Sequence, residues 1–197
     1  MRNLIKTPSV DEVEKYLEIW KTKPKYEKYR QQEKSVVMLF KQYPENTKIE
    51  EVLVKVSVLN KFYSTGIPDI LELSVAQNIV DLKIDNNLAN ADLDIIEKIA
   101  RVNEKSKRYY SFATKYCFHH RPDVYPICDR LVREGLKYFR NKEKFYKFKN
   151  DDLMCYKTFK TVFYTFIEHF KLERFCLRKL DLYLWVLGKE KFEDNNN

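Results

Sequence analysis

Only three glycines, Gly66, Gly135 and Gly188, occur among 197 residues, and the apolar side chains recur at steps of three and four. A chain so poor in the residue that tight hairpins demand, with apolar positions at the helical period, builds helices rather than sheet. The expected class is all-α: a compact multi-helix domain over residues 1–197, with helical lobes at 1–140 and 150–190 and a cleft as the alternative division. With 44% hydrophobic residues the chain has enough apolar surface to bury a core. No apolar run approaches the roughly 18 residues that cross a bilayer, so a membrane partner is not expected.

Helix boundaries are partly legible. Ser9 to Glu12 supplies a hydroxyl cap with a Glu three residues on, ahead of a stripe through Val10, Val13, Leu17 and Trp20. Pro24 suits the first turn of a second helix that stops before Pro44. Thr47 to Glu50 repeats the capping pattern and opens an apolar helix through Val52, Leu53, Val56 and Leu59, which ends at the turn Ser64-Thr65-Gly66-Ile67-Pro68. Further helices are predicted from Asp69 to Leu82, Asp92 to Val102, Lys105 to Phe118, Cys128 to Phe139, Asn150 to Phe170 and Glu173 to Leu187. Asn86, Asn87 and Asn90 read as a loop, Gly188 as a helix stop, and Asp194 to Asn197 as a frayed tail.

The chain carries 37 Lys/Arg against 29 Asp/Glu. Position matters more than this total: Arg101 to Lys149 holds 14 basic and 5 acidic residues, a net +9, so the remainder sums to −1. A localised positive run favours a polyanionic partner, and duplex DNA is the expected one. Tyr138, Phe139, Phe145, Tyr146 and Phe148 interleave with it, either as a nucleic-acid surface or as anchors to the core. Cys117, Cys128, Cys155 and Cys176 show no paired spacing, and Met1 to Lys6 carries no leader, so they are expected as reduced core thiols of a cytoplasmic protein. His119 and His120 are adjacent and diverge on a helix, and no HxxxH or CxxC completes a metal site; neither metal nor cofactor is expected.

The most informative stretch runs from Ser111 to Leu136. A helix, a polar turn at His119-His120-Arg121-Pro122 and an extended Tyr125-Pro126-Ile127 lead to Asp129 at the start of the next helix. An Asp there reads two ways, and both stay open. As an N-cap it satisfies orphan backbone donors and needs no function. As a catalytic carboxylate it stabilises positive charge or activates water.

The string Tyr125-Pro-Ile-Cys-Asp129-Arg-Leu-Val-Arg133 resembles the segment bearing the catalytic aspartate of the helix-hairpin-helix DNA glycosylases, with one extra residue between Pro and Asp. The resemblance spans Thr47 to Gly188 and implies cleavage of the N-glycosidic bond of a damaged or modified base, with Asp129 stabilising the oxocarbenium-like transition state. An extruded base implies a pocket, for which Tyr109, Tyr110, His119, His120 and Tyr125 are the candidates. The family's glycine-rich phosphate-binding hairpin is missing, and Ser106, Lys107 and Arg108 stand in its place. With Lys115, Arg121, Arg130 and Arg133 they form the expected DNA-backbone set. Lys107 and Lys115 are the nearest amines for a Schiff base, but neither lies in a recognisable motif, so a monofunctional enzyme is expected over a lyase. The alternative is a non-catalytic DNA-binding or protein-interaction module on the same scaffold.

Overall fold

The computed structural model describes residues 5–102 and 107–193, and among them every regular element is helical. The α-helices, in chain order, are α1 (Val10–Thr22), α2 (Glu27–Gln42), α3 (Ile49–Tyr63), α4 (Asp69–Asp81), α5 (Asp85–Ala89), α6 (Ile95–Ala100), α7 (Tyr110–His120), α8 (Arg130–Glu143), α9 (Tyr156–His169) and α10 (Leu177–Gly188). No described helix is long and apolar enough to cross a membrane.

The chain divides into two compact units: a central one, Glu27–Ile127, and a terminal one that joins the described residues up to Tyr26 with those from Cys128 onward. In the terminal unit α1 packs along α10 and α10 along α8, so the first helix belongs with the last three. An association between chain ends leaves no mark in local composition.

In the terminal unit α1 starts where its cap predicts, with Ser9 Oγ accepting from the Glu12 amide at 3.3 Å. The Glu12 carboxylate instead pairs with Lys15 at 3.2 Å. Glu12, Val13 and Tyr16 are its buried residues; of the expected stripe Val13 is among them, while Val10, Leu17 and Trp20 are partly exposed. Pro24 opens a short 3-10 turn, Pro24–Tyr26, rather than α2 itself. Trp20 packs against Tyr26 and, edge to face, against Trp185, with ring centroids 5.6 and 5.7 Å away. Beside them Glu190 accepts from Lys23 (2.9 Å) and the Tyr26 hydroxyl (2.8 Å) and pairs with Lys25 (3.0 Å). Burial alone would raise the Glu190 carboxyl; these donors outweigh it and hold its pKa at about 2.

Gly188 does more than end α10. A Cβ there would lie 2.8 Å from Leu131 Cβ, and one on Gly135 would lie 3.2 Å from Leu184 Cδ2, so the two glycines let α8 and α10 approach closely.

In the central unit α3 and α4 pack across the predicted turn. Ser64 is left-handed (φ 49) and Gly66 follows at φ 78. Asn60 staples this turn: its amide donates to Ile67 O at 2.7 Å while its carbonyl accepts from Ile67 N at 3.1 Å and the Thr65 hydroxyl at 2.9 Å. Thr47 does not cap α3; Lys48 precedes it with no side-chain cap bond. The Asn-rich stretch folds into α5, because Asn87 donates to the Asp92 carboxylate at 2.8 Å and closes the short helix locally. Helix α7 begins at Tyr110 and carries both histidines; Lys105 lies outside the described residues.

Candidate nucleic-acid interface

Helix α8 organises the terminal unit's positive surface. Leu131, Val132, Gly135, Leu136 and Phe139 form its buried face, leaving Arg130, Arg133, Lys137 and Arg140 on the opposite side. Asp129, half-buried, is the N-cap: its Oδ1 accepts from the Val132 amide at 3.0 Å. The approach residues Tyr125, Pro126 and Ile127 are buried.

Some of the cations are spent inside the unit. Lys137 pairs with Glu134 at 3.0 Å, and Lys142 donates to Ile5 O at 2.7 Å. Arg140 donates to Phe148 O at 2.9 Å, its guanidinium lying 4.8 Å from the Phe148 ring centroid. Arg130 is exposed. Arg133, Lys144, Lys147 and Lys149 have side chains with no hydrogen bond or ion pair among the described residues. Lys144, Lys147 and Lys149 are exposed and Arg133 is half-exposed.

The central unit treats its share of the expected site differently. Tyr109 and Tyr110 are each 4% exposed and Tyr125 is fully buried, so these rings serve its core. The Tyr125 hydroxyl donates to Asp92 O at 3.0 Å. Arg108 clasps Glu97, with Nε at 2.8 Å and Nη2 at 2.6 Å from Oε2, and lies 4.0 Å from the Tyr110 centroid. Arg121 pairs with Asp123 at 3.1 Å and donates to Leu88 O at 3.1 Å. Lys115 is buried and donates to Ser111 Oγ at 2.7 Å. Lys107 stays exposed, its Nζ 3.7 Å from where a Gly66 Cβ would stand. Ser106 lies outside the described residues. Of the thiols, Cys117 and Cys128 are buried as expected, but Cys155 and Cys176 are exposed, preceding α9 and α10.

The histidines point apart. His119 Nε2 meets the Tyr63 hydroxyl at 2.9 Å, whereas His120 Nε2 meets Asn46 Oδ1 at 3.2 Å. Asn46 is the hub of a polar cluster that residue patterns did not reveal. Its Oδ1 accepts from Lys55 Nζ at 2.8 Å and the Tyr116 hydroxyl at 2.5 Å, and its Nδ2 donates to Asp85 Oδ1 at 2.6 Å. Lys55, fully buried, also donates to Tyr43 O at 3.1 Å and Glu45 O at 2.7 Å. Burial lowers the Lys55 ammonium to about 8 and, with Lys55 charge added, the His120 imidazole to about 3. The one available signal was a lysine on the apolar face set by Val52, Val56 and Leu59.

The family model for the HI_0787_N N-terminal domain matches residues 12–124. The chain belongs to this family. A Haemophilus influenzae protein described as an uncharacterized protein is 42% identical to it over 156 residues, covering 78% of this chain and 74% of the relative. No solved structure matches. The matched stretch includes every member of the Asn46 hub and stops before Asp129 and α8.

Proposed function

We propose that this member of the HI_0787_N family binds DNA through the outer side of α8 and the segment that follows it. The observation that carries this is the set of four cations, Arg133, Lys144, Lys147 and Lys149, that no carboxylate or carbonyl of the described residues engages. Unpaired cations exchange their counterions for phosphates at no cost in internal ion pairs, and each phosphate neutralised adds about 0.9 to the salt slope of binding. Replacing the four by Ala is expected to weaken duplex binding and flatten its log–log salt dependence by about two or more. Removing Lys28, Lys34, Lys41 and Lys61, exposed cations of the central unit, should change it far less. Anisotropy titrations across salt concentrations measure both. No duplex binding by wild type at low salt, or equal loss in the two variants, would refute the assignment.

A base-excision activity is the second reading, and Asp129 favours it: a half-buried carboxylate held at the head of the same basic helix, in the segment that resembles the glycosylases. Asn caps helices about as well as Asp. Asp129→Asn is therefore expected to keep stability and DNA binding and to abolish base release from whichever modified duplex the wild type processes. Release at wild-type rate from the variant ends this reading.

A further inference from the structure

The segment 144–149 is neither helix nor strand, yet its path is fixed by two buried rings. It leaves α8 through Lys144, left-handed at φ 54. Phe145, 7% exposed, packs against Phe166, His169 and Phe170 with centroids 5.5, 6.2 and 5.9 Å away. Phe148, 8% exposed, sits under the Arg140 guanidinium. Between these pins Tyr146 is 40% exposed; its ring stacks on Phe148 (6.5 Å, 28°), and its hydroxyl has no hydrogen bond among the described residues. Lys144, Lys147 and Lys149 lie in the same six-residue segment, all exposed and with side chains unpaired among the described residues.

A partly exposed aromatic ring, stacked on buried Phe148 in a segment that carries three unpaired cations, has the two parts of a single-strand platform: charge that tracks a phosphate backbone and a ring on which a base stacks. Within a duplex both faces of each base are covered by its neighbours, so such a ring engages only an unstacked base. The cations select a polyanion over an apolar protein partner. Building on the DNA reading above, we propose that segment 144–149 is a single-strand contact in which Tyr146 stacks on an unpaired base while Lys144, Lys147 and Lys149 hold its phosphates.

The test uses the full chain, a labelled oligothymidylate and the same strand annealed to its complement. Tyr146→Ala should weaken oligothymidylate binding about tenfold and leave duplex binding within about twofold, while Tyr146→Phe keeps both. Thermal unfolding of each variant, expected to stay cooperative and well above the assay temperature, excludes a folding defect. Wild type that binds duplex but not oligothymidylate overturns this inference and leaves the DNA reading standing. So does a Tyr146→Ala variant that loses equally on both forms, or on neither. Binding to neither nucleic acid, or displacement of both by poly-glutamate at matched charge, overturns both.

Discussion

Asn46→Ala is expected to destabilise the protein by about 3 kcal/mol or more, although Asn46 touches no part of the proposed interface. The side chain satisfies three donors at one oxygen, from Lys55, Tyr116 and His120, and fixes Asp85 through its amide and its backbone N–H. Truncation leaves a buried ammonium short of one of its three acceptors and two further donors facing a cavity. Each unmet buried donor costs about 1–3 kcal/mol, more when charged, and the neighbours recover part by reorienting. Urea unfolding followed by circular dichroism measures the difference. A loss below about 1 kcal/mol would mean that water replaces the amide and that the cluster is not sealed.

The same cluster should make the protein acid-sensitive. In the folded chain the His120 imidazole is held down to about 3 by burial and by Lys55, whereas unfolded it titrates at about 6.5. Between these values the unfolded state binds a proton that the folded state does not, so the His120 contribution to stability is full above pH 6.5 and is lost as pH drops towards 3. At about 1.4 kcal/mol per pH unit, the loss reaches about 2 kcal/mol at pH 5. Lys55, lowered to about 8, acts in the same direction at the other end: from 8 towards its ordinary 10.5 the folded state sheds a proton that the unfolded state keeps, and stability goes on rising. Urea midpoints from pH 5 to 7 for wild type and His120→Gln give the test. The variant should lose about one proton's worth of slope; identical slopes would show that His120 is solvated.

Much of the fold was legible because helices are specified locally. The Ser9 cap, the Gly66 turn, the start of α4 and the Asp129 cap all rest on residues within a few positions of one another, and all form as read. Thr47 and the Asn-rich stretch misled for the same reason. Beside Thr47, Asn46 gives its side chain and backbone N–H to Asp85, 39 positions on, whereas the Asn-rich stretch closes locally through Asn87 and Asp92, a pairing that residue type alone did not single out. The candidate site divides along this line. Asp129 and the α8 cations stand where periodicity puts them, while Tyr109, Tyr110 and Tyr125 looked available as pocket rings and are core.

The sequence by itself determined the helical class and the place of the positive run, since both follow from residue type and spacing along the chain. Only the tertiary structure decided which cations remain available for a partner. Arg108 is consumed by Glu97, Lys142 by the carbonyl of Ile5 across 137 residues, and Lys115 by burial on α7, whereas Arg133, Lys144, Lys147 and Lys149 are left unengaged among the described residues. Charge is a property of composition, but its availability depends on which acceptors folding brings within hydrogen-bonding reach.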